Sequence, residues 1–246
     1  MAGVTLHRLR RHLVPVSAHF RHSLVLAYAC PAEALARLLP ARLMLDRHGE
    51  YGLAAAAFVQ TEKLRPSLLP RALGTSFFLA GYRLFVRVRD SPSLRGLYVL
   101  RSDTDRRTME LLGNALTHYR YTRSEARVTE KPGRLAVEVR TQHGDADVDV
   151  VADLDAEATL PPGSPFETLD EARRFAGPLP YTFDVERETG AIVAVRGQRS
   201  GWEPRPVSVD VRRVSFFERE PFTGAVLANA FHVADVDYRW ERGQVL

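Results

Sequence analysis

The segment LTHYRY, from Leu116 to Tyr121, carries side chains that could act in acid–base chemistry. The imidazole of His118 can exchange a proton near neutral pH, and the hydroxyls of Tyr119 and Tyr121 can donate hydrogen bonds. Alternation along a predicted strand places His118 on the opposite face from both tyrosines. The spacing alone does not separate a binding role from a catalytic one, because acid–base catalysis depends first on geometry.

Other reactive side chains offer weaker candidate sites. Cys30 stands directly before Pro31 with no recognisable base, so nucleophilic hydrolysis is not indicated. His19 and His22 are interpreted as surface or hydrogen-bonded histidines, since no further metal ligands can be nominated. The acidic run that starts at Asp145 lacks the glycine and the final glutamate of a calcium loop, and its alternation is typical of a solvated strand face. We therefore expect no metal and no other cofactor.

Amines are scarce in this chain. Its 34 basic residues include only two lysines, Lys63 and Lys131. Lys131 lies in EKPGR, a predicted hairpin turn where an amine is normally solvated. Lys63 lies in a proline-bounded loop that could cap a pocket, although Glu62 and Arg65 beside it suggest an exposed amine. Reactivity towards a carbonyl compound would require desolvation of the amine.

Composition limits the classes of function. The chain has 246 residues, 45% of them hydrophobic, which is enough for a sizeable core. No apolar run is long enough to span a membrane and no secretory signal is evident, so we expect a cytoplasmic protein that does not contact a membrane. The net charge of +4 comes from arginines scattered among acids, which argues against a nucleic-acid groove.

Short alternating segments predict a mainly antiparallel structure. In GYRLFVRVRD, residues 81–90, Tyr82 shares parity with three aliphatic residues, so we expect it to point to the interior. The other parity, which includes Arg83, is expected to form a mostly wet outer face. The turns EKPGR and RETGA are typical of hairpins. About ten such strands indicate a mainly β, α+β domain or a barrel.

Three short helices are predicted between the strands. PAEALARLL begins at Pro31, and SDTDRRTMELLG has a cap at Ser102 or Asp103 and a stop at Gly113. TLDEARRFAGP has a capping box formed by Thr168 and Glu171, with terminators at residues 177 and 178.

The order of several segments carries a family resemblance. HSLVLAYACPAEALARLLPARLMLD, GLAAAAFV, RPSLLPRALGTSFFLAGYRLFV, GLYVLRSDT, LTHYRYTRSEARV and PYTFDVERETGAIVAVRGQRSGWEPRP resemble the DUF2071, or YqjF-like, family of the acetoacetate decarboxylase-like superfamily. The resemblance implies an antiparallel β-barrel with flanking strands and a few short helices around an apolar pocket. It also implies one domain over residues 16–246, preceded by an N-terminal arm over residues 1–15.

The resemblance also limits the chemistry. Decarboxylases of this superfamily use a lysine that follows a proline to form a Schiff base with the substrate ketone, and Thr117 and His118 stand at those positions here. Leu79 to Gly81 stand where a glutamate is expected. An imidazole cannot form that imine, so His118 and Tyr119 remain as candidate acid–base residues.

The candidate ligand-binding residues are Tyr82, Arg101, Tyr121, Arg199 and Trp202. Arg101 could hold a ligand carboxylate or cap a strand end, and Tyr82 could equally be a core tyrosine. Arg199 stands where the family shows a histidine, and Trp202 could wall the pocket.

Three functional classes follow from these residues. The first is a protein that binds a small apolar or keto-acid-like molecule without a Schiff base. The alternative is a lyase-like enzyme that uses His and Tyr acid–base chemistry on a carbonyl substrate. A basic adaptor with a filled barrel is the third. Exposed strand edges and the family's history of assembly are compatible with a homo-oligomer.

Overall fold

The computed structural model describes residues 7–177 and 179–246. Residues 7–9 are helical, the further α-helices are α1 (Ala32–Ala36), α2 (Arg107–Leu116) and α3 (Leu169–Ala176), and 3-10 turns occupy Arg71–Leu73 and Ser215–Phe217. The strands are β1 (Val16–Pro31), β2 (Leu43–Leu45), β3 (Arg47–His48), β4 (Tyr51–Pro66), β5 (Thr75–Val88), β6 (Ser91–Thr104), β7 (Tyr121–Lys131), β8 (Arg134–Thr141), β9 (Val148–Asp153), β10 (Tyr181–Val185), β11 (Ile192–Ser200), β12 (Arg205–Pro206), β13 (Ser208–Val214), β14 (Val226–Trp240) and β15 (Gln244–Val245).

Seven of these strands form a closed ring. Their order around the ring is β5, β6, β10, β11, β14, β1 and β4, and pairing between β5 and β6 closes it. The strand pairs are antiparallel except β6 with β10, which run parallel. The predicted mainly β, α+β architecture is confirmed.

A second layer covers one side of the ring. Strands β7, β8, β9 and β13 form an outer sheet that is joined to the ring where β7 runs parallel to β6. The main core lies between the two layers, where Tyr82 and Leu84 of the ring pack in one cluster with Val137 and Val150 of the outer sheet. Residues 52–59 of β4 are buried without interruption, as expected of a strand that is covered on both faces.

Turn and cap chemistry follow the sequence closely, with one exception. Gly133 and Gly190 adopt φ of +67° and +72° in the two predicted hairpins, and the hydroxyl of Thr168 accepts a hydrogen bond from the amide of Glu171 at 3.1 Å. Helix α2, however, starts at Arg107 and continues through Gly113, which was expected to end it. The predicted cap residues 102 and 103 belong to strand β6 instead.

The N-terminal segment contacts the ring. Arg11 donates to both carboxylate oxygens of Glu186, at 2.5 and 2.9 Å, just after strand β10. Residues 1–6, which belong to the predicted arm, and Pro178, the predicted helix terminator, lie outside the described residues. The division into an arm and a single domain stays a prediction. No helix among the described residues is long and apolar enough to cross a membrane.

Candidate functional site

The ring encloses a cavity of about 90 Å³. Most of its wall is apolar, with Phe85 from β5, Leu97 from β6, Phe231 and Trp240 from β14, and small residues from β4. The polar exceptions include two arginines, Arg83 of β5 and Arg199 of β11. A small cavity with an apolar wall and a few converging polar groups is typical of a ligand site.

Arg83 reaches the cavity because of strand alternation. Tyr82 and Leu84 face the outer sheet, so Arg83 and Phe85 face inwards. The expectation that this parity forms a wet outer face is wrong for these two residues, since the inner face of the ring is also enclosed. Arg83 stands opposite Ala55 of β4, whose small side chain leaves space for the guanidinium.

The environment of Arg83 disfavours its charge. Burial lowers the pKa of its guanidinium; the phenols of Tyr238, Tyr121 and Tyr119 act in the opposite direction, and the charge of Arg199 acts in the same direction as burial. No carboxylate among the described residues lies within salt-bridge distance of Arg83, and its Nε has no hydrogen-bond partner there. Arg83 is half-buried, and a cation in such an apolar place without a counter-ion is costly, so this position favours an anion that enters from outside.

Arg199 and Trp202 lie together in the cavity wall. The Arg199 guanidinium lies 4.8 Å from the Trp202 ring centre and 5.6 Å from that of Tyr238, and its Nη2 donates to the carbonyl oxygen of Leu179 at 2.5 Å. The two aromatic faces stabilise and orient the cation. Both predicted residues therefore line the cavity, and their role in ligand binding stays a prediction.

Tyr119 lies in the loop after α2 and Tyr121 begins β7; neither lines the cavity, but both interact electrostatically with Arg83. Tyr121 is the first residue of β7 and pairs with Ser102 of β6. Ser102 also pairs with Gly81, which shares the inward-facing side of β5 with Arg83. Burial raises the pKa of both phenols, that of Tyr121 to about 12 with Arg83 acting in the opposite direction. Both hydroxyls are therefore protonated near neutral pH, and that of Tyr119 has no hydrogen-bond partner among the described residues.

The contact with Tyr121 explains why α2 contains a glycine. A Cβ atom at Gly113 would lie 2.4 Å from the Tyr121 ring, so only glycine allows the ring to pack against the helix. Asn114 completes the junction, because its side chain donates to the carbonyl of Tyr121 and accepts from its amide, both at 2.8 Å.

His118 lies in the loop at residues 117–120 and not on a strand as expected. It is half-buried, and burial lowers the pKa of its imidazole, with a further contribution from Arg10. The other charges acting on it include Glu186 and Glu188 at the turn after β10. His118 is not among the cavity-lining residues. Its catalytic role stays a prediction without support from its position.

The side chains of Tyr82 and Arg101 lie on the outer face of the ring, towards the outer sheet. Tyr82 stacks on Phe216 with ring centres 4.2 Å apart, and its hydroxyl donates to the carbonyl of Ala146 at 3.2 Å. Arg101 donates from Nε to both oxygens of Asp103, at 2.9 and 3.0 Å, and from Nη1 to Asp145 at 2.5 Å. Two carboxylates thus neutralise Arg101, so neither residue is placed to hold a ligand in the cavity.

Sequence reasoning missed Asp184, on the strand β10. It shares parity with Thr182, which lines the cavity, and it is only 2% exposed. Burial raises the pKa of its carboxyl to about 7, and its Oδ2 has no hydrogen-bond partner among the described residues. Asp184 also acts electrostatically on Tyr119. Its neighbours Phe183 and Val185 give the sequence the pattern of an ordinary buried strand, so nothing there signals the site.

An open, polar groove of about 340 Å³, called the vestibule below, lies against the ring wall, where Asp237 and Arg239 of its lining alternate along β14 with the cavity-lining Tyr238 and Trp240. Arg199 and Tyr238 line both spaces, so they mark the boundary between them. Lys63 is exposed and lines the vestibule, not the cavity. The second lysine, Lys131, lies at the end of β7 in the outer sheet.

His19 and His22, expected to be surface or hydrogen-bonded, both have polar partners, although His22 is buried. Nδ1 of His19 lies 3.1 Å from Asp237, and Nδ1 of His22 lies 3.1 Å from Nε2 of His232. Burial lowers the pKa of His232 to about 4, and His22 acts in the same direction. The described residues contain no group of three or more His, Cys, Asp or Glu side chains arranged to hold a metal ion.

The fold is shared with solved structures of low sequence identity. Acetoacetate decarboxylase from Legionella pneumophila aligns with a TM-score of 0.63 at 12% identity, covering 95% of this chain and 88% of that one. The enduracididine biosynthesis enzyme MppR complexed with pyruvate gives 0.60 at 14% identity, with coverages of 95% and 90%. An acetoacetate decarboxylase-like enzyme from Sphingomonas wittichii RW1 gives 0.57 at 13% identity, with coverages of 97% and 94%.

Sequence comparison identifies a family. No curated protein sequence matches the chain significantly. The DUF2071 family model, described as an uncharacterized conserved protein, matches residues 17–236. The chain therefore belongs to the DUF2071 family and has the acetoacetate decarboxylase-like fold.

Proposed function

We propose that this protein binds a small organic carboxylate, of the keto-acid class, inside the ring without forming a covalent bond to it. The observation that carries the proposal is the guanidinium of Arg83, which faces the cavity with no carboxylate among the described residues to neutralise it. A carboxylate ligand would accept charge-assisted hydrogen bonds from this group and remove the cost of burying it alone.

The shape and wall of the cavity support a short ligand. A volume of about 90 Å³ holds several water-sized groups, whereas drug-sized ligands need pockets of roughly 300 Å³ or more. Phe85, Leu97 and Phe231 would contact the apolar part of the ligand. Pyruvate in the MppR complex and the acetoacetate named for the decarboxylases are carboxylates of this size class.

The positions of the lysines argue against a Schiff base. Lys63 lies in the open vestibule and Lys131 in the outer sheet, so neither amine is desolvated beside a ligand in the cavity. A lysine attacks a ketone effectively when its amine is desolvated or placed beside another cation.

Isothermal titration calorimetry with pyruvate and 2-oxobutyrate, compared with the neutral ketone butanone, tests the proposal. We expect both acids to bind and butanone not to bind measurably. Arg83→Gln should weaken binding of the acids by roughly ten- to a hundredfold, the effect of losing charge-assisted hydrogen bonds. The control Arg123→Gln changes an exposed arginine of β7 and should leave the affinity unchanged. Equal affinities of wild type and Arg83→Gln for the acids would overturn the proposal.

A second candidate function is acid–base catalysis on the bound carbonyl compound. It is favoured by Tyr119 and Asp184, because the hydroxyl of Tyr119 and Oδ2 of Asp184 have no hydrogen-bond partner among the described residues and the two groups interact electrostatically. A carboxyl with a pKa of about 7 can remove a proton from the carbon next to the ketone and return it. Exchange of those protons for deuterium, followed by NMR on 2-oxobutyrate, should be accelerated by the protein and lost in Asp184→Asn. If the protein does not accelerate this exchange over buffer, the catalytic function is wrong and non-covalent binding remains the proposed function.

A further inference from the structure

The apolar side of helix α2 faces solvent. Residues at the spacing i, i+3, i+4, i+7 and i+8 share one side of a helix, and where they are mostly apolar that side normally packs against something else. In α2 the five residues at this spacing are all exposed: Thr108, Leu111, Leu112, Ala115 and Leu116. The three leucines keep 71%, 59% and 48% of their surface exposed. These five residues, named the leucine face here, are left uncovered by residues 7–177 and 179–246.

The opposite side of α2 fixes the helix to the protein. Gly113, the one buried residue of the helix, packs against the ring of Tyr121. The side chain of Asn114 bonds the backbone of Tyr121 in both directions, at 2.8 Å each. These contacts use the inner side of α2, so the leucines are not needed to hold the helix in place.

The charges at the two ends of α2 lack partners. Arg107 is exposed, flanks the leucine face four residues before Leu111, and has no carboxylate of a described residue within salt-bridge distance. It lies in the first turn, where the helix dipole disfavours a cation. At the other end, the carbonyl oxygens of residues 114–116 accept no hydrogen bond from the described part of the chain, because Thr117 bonds only the carbonyl of Gly113.

A second α2 that runs in the opposite direction would satisfy both ends. In an antiparallel pair, Arg107 of each copy lies beside the partially negative carbonyl end of the other helix. A parallel pair would bring the two arginines together, and their like charges would repel. A two-fold axis makes both contacts at once, because the same patch then meets itself. We infer that two copies of this chain associate through the leucine face, with their α2 helices antiparallel.

The size of the leucine face indicates how strong this association is. A helix of ten residues is about 15 Å long. Two such faces bury less than the roughly 1,600 Å² of a standard interface, with leucines at the centre and arginines at the rim. We therefore expect a dimer that dissociates in the micromolar range. The inference does not depend on the proposed function.

Sedimentation velocity of the full chain across micromolar concentrations tests the inference. Leu112→Gln, at the centre of the leucine face, should weaken the dimer about tenfold or more and leave the urea midpoint unchanged, because the side chain is exposed in the monomer. Leu73→Gln is the matched control. Leu73 is 67% exposed in a 3-10 turn away from α2, so its substitution should change neither property.

Arg107→Glu separates association from folding. An acid in the first turn suits the helix dipole, so the variant should be as stable as wild type or more stable in urea. The same carboxylate would meet the carbonyl end of the second helix, so the dimer should weaken several-fold, and by more at low salt. A lower stability with an unchanged dimer would mean that Arg107 serves the fold, and would overturn the antiparallel arrangement.

A disulfide reports the orientation of the two helices. Leu112 is the middle residue of the leucine face, so in an antiparallel pair it lies near the two-fold axis and opposite its own copy. Leu112→Cys should therefore form a covalent dimer in oxidised glutathione, whereas Thr129→Cys, at an exposed position of β7, should remain monomeric. Cys30 is buried and does not compete.

Three results would overturn the inference. The first is a chain that stays monomeric at every concentration. The second is a dimer that neither Leu112→Gln nor Arg107→Glu weakens, which would place the interface elsewhere. The third is a monomer that sediments with vesicles of phosphatidylglycerol and phosphatidylcholine and loses this binding in Leu112→Gln, which would assign the leucine face to a lipid surface.

Discussion

The guanidinium of Arg83 lies across Gly81, its neighbour on the same face of strand β5. A Cβ atom at Gly81 would come within 2.9 Å of Nη2 of Arg83. The atom in the way is the end of a flexible side chain, so a methyl group there would displace the guanidinium and leave the backbone in place. Glycine at this position sets where the cation sits.

Gly81→Ala should therefore weaken carboxylate binding about tenfold while changing the free energy of unfolding by less than about 1 kcal/mol. Calorimetry with pyruvate and urea denaturation measure the two effects. In an Arg83→Gln background the same substitution should have no further effect on affinity. A large loss of stability with unchanged affinity would show that Gly81 serves packing and not the position of Arg83.

Arg101→Gln should lower the free energy of unfolding and leave the affinity for pyruvate unchanged, the opposite of Gly81→Ala. The substitution leaves Asp103 fully buried without its cation, and removal of one partner from such a pair costs about 3–5 kcal/mol. We expect that loss in urea denaturation, and an unchanged pyruvate affinity under conditions where the variant is folded. A variant that stayed stable but lost pyruvate affinity would show that Arg101 contributes to ligand binding after all.

Local features of the fold could be predicted from the sequence because each has a local cause. The hairpin glycines Gly133 and Gly190 and the capping box at Thr168 act over a few residues. The end of helix α2 could not be predicted from the sequence, because Gly113 serves a tertiary contact with Tyr121 and does not end the helix.

The inner and outer faces of the ring could not be separated by alternation. Tyr82 and Arg83 are neighbours on β5, and both lie in enclosed spaces, one against the outer sheet and the other in the cavity. Alternation divides a strand into two faces and does not tell which of two covered faces lines a cavity. The family pattern singled out Arg199 and Trp202, which line the cavity, because a match in chain order includes tertiary information that periodicity lacks; their role in ligand binding stays a prediction.

The buried carboxyl of Asp184 should make stability depend on pH. Its pKa in the folded protein is about 7, raised by burial from an ordinary value of 3.8, so the folded state holds a proton that the unfolded state has released. The free energy of unfolding should therefore fall as pH rises from about 4 to about 7, by at most about 4 kcal/mol.

Urea denaturation of wild type and Asp184→Asn across that range measures this contribution. The variant cannot ionise, so its stability relative to wild type should increase with pH, while the exposed control Asp153→Asn should run parallel to wild type. Parallel curves for wild type and Asp184→Asn would mean that the carboxyl is ionised in the folded protein.

Borohydride trapping distinguishes a non-covalent site from a relocated Schiff-base lysine. An imine forms when an amine condenses with a ketone and releases water, and borohydride then reduces it to a stable secondary amine. With pyruvate or acetoacetate, we expect no saturable adduct on Lys63 or Lys131, since both amines are exposed. Arg83→Lys places an amine inside the cavity, where burial favours its neutral, nucleophilic form, so this variant should give a substrate-dependent adduct at residue 83. Intact mass and peptide mapping identify the modified residue. A saturable adduct on Lys63 in the wild-type protein would make the vestibule the reacting site, and the absence of any adduct in Arg83→Lys would mean that keto acids do not reach residue 83.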